Sequence, residues 1–103
     1  MEFGRWYPLA DAATHAPGAP GVLQVRVRVG LIDYPRGKSA MVHYQAAADL
    51  RAAAVAIARA HPDADWLCRH LRVHAGDAAA AAALAARLMR DFTGRFGRPP
   101  GPP

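Results

Sequence analysis

A strict alternation of side chains over residues 22–29 constrains the fold of this 103-residue chain more than any other feature. Leucine or valine occupies every odd position from 23 to 29, and glutamine or arginine occupies positions 24, 26 and 28. A period of two matches a β-strand, because successive strand side chains point to opposite faces of the sheet. The sequence therefore predicts a strand over residues 22–29, preceded by a loop that is rich in proline and glycine.

The residues after this strand have the composition of a hairpin. Residues 30–34 are predicted to extend the ribbon, residues 35–39 to form its turn, and residues 40–45 to form the return strand. The turn carries Arg36 and Lys38, which together with backbone donors could hold a small anion. It lacks the spacing of a phosphate-binding P-loop, so an ordinary exposed turn is the favoured interpretation.

Helical spacing of apolar residues marks two later segments. One helix is predicted to begin near Asp49 and to end before Pro62, and a second begins at residue 78 and ends between residues 94 and 97. Between the two helices, residues 66–74 have the alternation of a third strand.

The predicted order of elements is β-β-α-β-α. This order indicates an α/β protein of the α+β type, with a small three-stranded, mainly antiparallel sheet and two main helices. Residues 1–16 are predicted to form an N-terminal lead, residues 17–97 one domain, and residues 98–103 a flexible tail of proline and glycine. A chain of this length can bury a single core without disulfides.

The charge balance favours polyanionic partners. Lysine and arginine number 13 against 8 aspartate and glutamate, which gives a net charge of +5. Such an excess attracts nucleic acid through phosphate contacts. Lys38 is the only lysine, however, and arginine enrichment beside abundant alanine can also reflect the composition of the coding sequence.

Other features exclude several classes of protein. No apolar run approaches the roughly 18–20 residues of a membrane span, so no membrane partner is expected. The N-terminus lacks the pattern of a secretory signal peptide, so a cytoplasmic location is expected. Cys68 is the only cysteine, which leaves no internal disulfide and no multi-cysteine zinc site.

Four segments resemble the GIY-YIG nuclease family in their order and spacing. Residues 20–25 resemble the strand of the first family motif, and residues 37–45, Gly-Lys-Ser-Ala-Met-Val-His-Tyr-Gln, resemble the strand of the second. Residues 48–51 resemble the entry to the first helix, and residues 85–92 the late helix. The resemblance implies a GIY-YIG-like fold over nearly the whole domain.

The catalytic positions of the family are not kept. Its two motif tyrosines fall on Leu23 and His43, its arginine on Ala53, and its metal-binding glutamate on Ala85. Phosphodiester hydrolysis needs charge stabilisation and a carboxylate that holds a divalent cation, and alanine supplies neither. The resemblance therefore implies a degenerate domain without a confident catalytic residue, metal site or cofactor.

The leading hypothesis is a non-catalytic GIY-YIG-like domain that binds DNA, RNA or a protein partner. The nucleic-acid-binding candidates are Arg26, Arg36, Lys38, His43, Tyr44 and Arg51.

Two alternatives remain open. The first is an active, metal-dependent DNA endonuclease with a rearranged site of His43, Arg51 and Asp49, which would need Mg²⁺ or Mn²⁺. The second is a structural or interaction module with no nucleic-acid role, whose basic charge is compositional.

Overall fold

The computed structural model describes residues 2–101. The strands are β1 Tyr7–Pro8, β2 Gly21–Val27, β3 Ile32–Tyr34, β4 Gly37–Ser39, β5 Met41–Ala47 and β6 Trp66–Arg72. Four of them form an antiparallel sheet in the order β1-β6-β2-β5, and β3 and β4 form a separate hairpin. The central strands of the main sheet are therefore β2 and β6.

Three helices accompany the sheet. They are α1 Ala12–His15, α2 Leu50–Ala60 and α3 Ala78–Phe96. Asp49 caps α2, because its carboxylate accepts a hydrogen bond from the Ala52 N–H at 3.0 Å. Within residues 2–101, no helix is long and apolar enough to cross a membrane.

Both faces of β2 are covered. One buried cluster joins the odd positions of β2 to α2 and contains Leu23, Val25, Leu50 and Ala54. A second joins an even position to β6 and α3 and contains Val22, Leu71 and Ala81. The alternating side chains of β2 therefore point into two packed layers, one on each face of the sheet. Neither face of this strand is fully open to solvent.

The predicted α+β class is confirmed, but the three-stranded sheet is corrected to four strands. The additional strand β1 comes from the segment predicted as an N-terminal lead, where Tyr7 pairs with Cys68 and Pro8 with Leu67. The same segment contains α1, a third helix. Two residues are too few to show a strand period, and a proline within them argues against a strand.

The connection between β2 and β5 also differs from the prediction. Residues 30–39 leave the main sheet and form the β3–β4 hairpin, in which Asp33 pairs with Lys38. Gly30 turns the chain with a φ of 81°, a conformation that favours glycine. The hairpin buries Tyr34, whose ring meets Phe92 of α3 edge to face at 4.9 Å. This apolar anchor explains why these residues do not continue the ribbon.

The hairpin also holds the end of α3. The Arg36 N–H donates to the Phe96 carbonyl at 3.0 Å, and the Arg36 Nη2 donates to the Gly94 carbonyl at 2.7 Å. Gly97 ends the helix in the left-handed conformation with a φ of 91°. The carbonyls at the end of α3 are satisfied in this way by a neighbouring turn.

Candidate nucleic-acid interface

A row of polar side chains crosses the face of the sheet on which α3 packs. Gln24 of β2 lies opposite Tyr44 of β5 on one side and opposite Arg69 of β6 on the other. Gln24 is only 4% exposed, and its Oε1 accepts a hydrogen bond from Arg69 Nε at 2.7 Å. The buried amide therefore fixes the guanidinium group of Arg69 on the sheet.

Two aromatic rings cover that guanidinium group. The Arg69 Cζ lies 4.5 Å from the centre of the Trp6 ring and 5.0 Å from the centre of the Phe3 ring. The Arg26 Cζ lies 5.3 Å from the same Trp6 ring. Trp6 thus joins two arginines through cation–π contacts.

Backbone pairing brings the aromatic residues to this place. The Gly4 N–H donates to the His70 carbonyl at 3.0 Å, and β1 continues the pairing with β6. Residues 3–6 consequently run beside Arg69. We call the surface formed by Phe3, Trp6, Gln24, Arg26, Tyr44 and Arg69 the basic aromatic face.

The basic aromatic face carries positive charge without a carboxylate. The ion pairs found within residues 2–101 join Arg28 to Asp65 and Lys38 to Asp33, and neither contains a residue of this face. Arg26 uses its Nε for the Val27 carbonyl and Arg69 uses its Nε for Gln24, so no described hydrogen bond occupies their terminal nitrogens. Each guanidinium group can present two parallel N–H donors to an anion.

The pKa shifts agree with a crowded, half-buried cluster. Burial lowers the pKa of Arg69, and the nearby charge of Arg26 lowers it further, while Tyr44 acts in the opposite direction. Burial raises the pKa of Tyr44, partly offset by Arg69. Arginine remains charged at neutral pH despite such a shift. An incoming phosphate would relieve the repulsion between the two guanidinium groups.

Two of the predicted binding residues, Arg26 and Tyr44, lie on the basic aromatic face. The others lie elsewhere. Arg36 donates to the end of α3, and Lys38 pairs with Asp33 in the exposed hairpin at 3.5 Å. Arg51 donates from Nε to the Ala16 carbonyl at 2.8 Å and so ties α2 to the loop after α1.

His43 belongs to a different surface. Its Nε2 lies 2.9 Å from Gln45 Oε1, and its ring lines a small cavity together with Trp66 and His61. Since His43 lies opposite Val25 and Tyr44 lies opposite Gln24, the two neighbours occupy opposite faces of the sheet.

The matched family positions do not gather in one cleft. Leu23 and Ala53 belong to the cluster beneath α2, and Ala85 packs in the cluster beneath α3. The three residues of the hypothetical rearranged nuclease site form hydrogen bonds with different partners. These bonds join His43 to Gln45, Arg51 to Ala16, and Asp49 to the N–H of Ala52. Among residues 2–101, no group of three or more His, Cys, Asp and Glu side chains is arranged to hold a metal.

The sequence interpretation missed Phe3, Trp6, Gln24 and Arg69. A signal for Arg69 was present, because it lies between Leu67 and Leu71 and shares their side of the strand. An arginine that points into the protein requires a hydrogen-bond partner. Gln24 is a polar residue at an even position of β2, the positions whose side chains face the same way as Arg69. Phe3 and Trp6 carried no such signal, since they precede the first regular element.

A second cluster of titratable groups lies at the β1–β6 pairing. The Tyr7 hydroxyl is 3.1 Å from His70 Nδ1, and the Tyr7 ring centre is 5.2 Å from that of His15. Burial raises the pKa of the neighbouring Cys68 thiol to about 11 and lowers the pKa of His70. A thiol that stays protonated is a poor nucleophile, so this cluster is a packing contact.

Comparisons with protein-family models, with curated proteins and with solved structures found no match to this chain. The resemblance to the GIY-YIG family therefore stays a prediction from the residues alone.

Proposed function

We propose that this chain binds single-stranded nucleic acid on the basic aromatic face and does not cleave it. Arg69 is the residue on which the proposal rests. Its guanidinium group is fixed by a buried amide at 2.7 Å and stacked on Trp6 at 4.5 Å, with no described partner on its terminal nitrogens. A guanidinium group in this state is pre-organised to bind phosphate in a bidentate manner.

The aromatic part of the face suits unpaired bases. Phe3, Trp6 and Tyr44 are half-buried, so part of each ring remains accessible to a stacking partner. Proteins that bind single strands combine such rings with basic side chains, since every base has a stacking face. A duplex hides its base faces, so only its phosphates could bind here.

The proposal excludes catalysis because of the side chains at the matched positions. Leu23, Ala53 and Ala85 supply neither a guanidinium group nor a carboxylate. The nearest titratable groups on the basic aromatic face are arginines and Tyr44, none of which holds a divalent cation in the manner of a carboxylate.

Binding of fluorescent oligonucleotides across a salt series tests the proposal. Single-stranded DNA or RNA is expected to bind more tightly than the duplex of the same sequence. The logarithm of the affinity is expected to fall with that of the salt concentration, by about 0.7 per phosphate contacted. Arg69→Ala is expected to weaken binding by roughly tenfold or more, because a hydrogen bond between charged groups contributes about 1.5–3 kcal/mol.

Arg59→Ala is the matched control. Arg59 is exposed on α2, which packs on the other face of the sheet, and its removal changes the net charge by the same amount. If both variants weaken binding equally, the interaction is a general charge effect and the proposed face is wrong.

The same samples, run with Mg²⁺ or Mn²⁺ on a denaturing gel, separate the alternatives. Intact strands are expected. Metal-dependent cleavage would establish the endonuclease instead, and failure to bind any strand at low salt would favour an interaction module without a nucleic-acid role.

A further inference from the structure

The C-terminal segment 98–101 returns to the hairpin and packs against Tyr34. The Arg98 Cζ lies 4.2 Å from the centre of the Tyr34 ring. The Tyr34 hydroxyl accepts a hydrogen bond from the Gly101 N–H at 3.3 Å and donates to the Met41 carbonyl at 2.6 Å. Residues 98–101 therefore have both a stacking contact and a main-chain contact at one tyrosine.

Tyr34 is held rigidly in this role. It is 6% exposed, and its ring packs against Phe92 at 4.9 Å and against Phe96 at 5.7 Å. The hydroxyl cannot turn away without losing the bond to Met41. A fixed aromatic ring whose hydroxyl can still accept a hydrogen bond is a suitable partner for an extended backbone.

A cavity of about 180 Å³ lies beside the same segment. Pro100 and Gly101 form one side of it, and Trp66 and His61 form another with their ring centres 4.8 Å apart. Its size is far above the roughly 10–15 Å³ that a water molecule needs, so a proline ring can enter. Val42 and Ile57 add apolar lining.

The sequence of the segment matches the chemistry of this surface. Residues 98 and 99 each precede a proline, which restricts them to extended or polyproline II backbone. Polyproline II segments lose little conformational entropy on binding and dock into grooves lined by tyrosine and tryptophan. We call the surface formed by Tyr34 and by the cavity that His61 and Trp66 line the proline groove; Gly101 contacts both parts.

We propose that the proline groove binds a proline-rich segment of a partner protein with the order Arg-Pro-Pro-Gly, and that residues 98–101 of this chain occupy it in competition. The guanidinium group of such a segment stacks on Tyr34, its glycine N–H bonds to the Tyr34 hydroxyl, and a following residue reaches the cavity.

The proline groove and the basic aromatic face are different surfaces that are joined through Phe92, whose ring centre lies 4.9 Å from that of Tyr34 and 6.1 Å from that of Tyr44. Trp66 and His43 lie on the α2 side of the sheet, opposite Val27 and Val25. Arg69 and Tyr44 lie on the α3 side, opposite Gln24. The two proposals concern different ligands, a peptide and an oligonucleotide, so each is tested by its own binding measurement.

A partner protein is a better occupant than the tail of a second copy. The chain's own tail is tethered close to the groove, so its effective concentration is of millimolar order. A second copy offers the same residues without a new contact. The tail of a second copy is already held by its own Tyr34, whereas a partner segment has no such contact to give up.

Fluorescence anisotropy with a labelled peptide tests the inference on the full chain. The peptide Arg-Pro-Pro-Gly-Pro-Pro is compared with Arg-Ala-Ala-Gly-Ala-Ala, which has the same charge. Wild-type chain is expected to bind the proline peptide weakly. Arg98→Ala loosens the chain's own tail and leaves the groove intact, so it is expected to bind about tenfold more tightly. Arg90→Ala, an exposed change on α3, is expected to behave as wild type.

Tyr34→Phe, introduced into the Arg98→Ala chain, tests the groove itself. It keeps the buried ring and removes the hydroxyl, so peptide affinity is expected to fall about fivefold, the effect of one hydrogen bond. Circular dichroism and thermal unfolding verify that this variant is folded.

Three results would overturn the inference. They are equal binding of the alanine peptide, no saturable binding by the Arg98→Ala chain, and unchanged affinity in folded Tyr34→Phe. A dimer of the wild-type chain that grows with concentration and is lost in Arg98→Ala, seen by sedimentation, would overturn the choice of a partner protein in favour of tail exchange.

Discussion

Gln24 explains how an arginine can be held beside a buried strand. Its amide is 4% exposed, and its oxygen accepts from Arg69 Nε at 2.7 Å. An apolar residue here would leave the Arg69 Nε without its partner and free the guanidinium group to rotate. Gln24 thus sets the direction of Arg69, although it is too deeply buried to touch a bound strand.

Arg69→Lys separates charge from shape at this position. Lysine keeps the positive charge but lacks the planar group that stacks on Trp6 and binds Gln24 with a fixed geometry. Affinity for single strands is expected to fall about five- to tenfold, with the salt dependence nearly unchanged. Fluorescence titration at several salt concentrations measures both quantities. Arg59→Lys is the control and is expected to change neither.

Cys68 predicts a loss of stability in alkali. Burial raises the pKa of its thiol to about 11, above the value of 9.0 for a free thiol. Because the folded-state pKa is the higher one, this contribution is complete below pH 9 and is lost as the pH rises from 9 to 11. Urea unfolding of wild type and Cys68→Ala between pH 8 and about 11 checks this prediction.

The contribution of the Cys68 thiol is the difference between the stability curves of wild type and Cys68→Ala as a function of pH. Cys68→Ala is expected to start less stable, because a small cavity forms, but to lose less stability between pH 9 and 11. The remaining loss belongs to Tyr7 and Tyr44, whose pKa values are also raised by burial. Parallel curves would show that the thiol does not contribute.

At the scale of elements, periodicity identified the long elements and missed the short ones. β2, β6, α2 and α3 each span at least seven residues, enough for an apolar period to show. β1 has two residues and β3 and β4 have three each, so no period can be recognised. Long-range packing against β6 and α3 decides these elements, and this information is not local in the sequence.

The same argument applies to the binding face. Arg26 and Tyr44 were identified because they lie on strands that the pattern predicts. Trp6 reaches Arg69 only because β1 pairs with β6. The neighbouring contact between Tyr7 and His70 joins residues that are 63 positions apart in the chain. Arg36 and Arg51 were predicted as binding residues, but each satisfies carbonyls where an element ends. Composition alone does not separate these two uses of arginine.

Gly94 of α3 and Gly97, which follows the helix as its C-cap, are expected to respond to alanine in opposite directions. Gly94 lies within the helix with open space around its Cα, so Gly94→Ala is expected to stabilise the protein by about 0.5–1 kcal/mol. Gly97 has a φ of 91°, and an added Cβ would lie 2.9 Å from the Cβ of Pro35. Gly97→Ala is therefore expected to destabilise it by about 1–2 kcal/mol.

Urea unfolding at one pH measures both variants, each serving as the control of the other. Two losses of similar size would show that helix propensity at Gly94 is outweighed by its surroundings. No loss in Gly97→Ala would show that the end of α3 does not require the left-handed conformation.

At the scale of the whole molecule, the sheet separates two chemically different surfaces. The basic aromatic face lies on the side of α3, and the proline groove lies on the side of α2 beside the β3–β4 hairpin. The net charge of +5 favours a polyanion on the first surface, while the second depends on aromatic and main-chain contacts. The two surfaces meet at Phe92, which packs against Tyr34 of one and against Tyr44 of the other.

The two proposed ligands are therefore expected to bind together. A saturating concentration of the proline peptide is expected to leave the affinity for single-stranded oligonucleotide unchanged within about twofold. The peptide takes the place of the tail on Tyr34 and needs no change at Phe92, the ring that lies between Tyr34 and Tyr44. Oligonucleotide titration of the Arg98→Ala chain, with and without the peptide, measures this directly. A tenfold change would mean that the tail also controls the basic aromatic face.

The position of β6 has a consequence for the newly made chain. β6 is the last strand to be synthesised, yet it lies between β1 and β2 in the sheet. At about 5–20 residues per second, the ribosome needs roughly 3–12 seconds to reach β6 after it has made β1. During this interval Phe3 lacks its arginine and Trp6 has Arg26 but not Arg69, so residues 3–6 are an exposed aromatic segment that chaperones can bind.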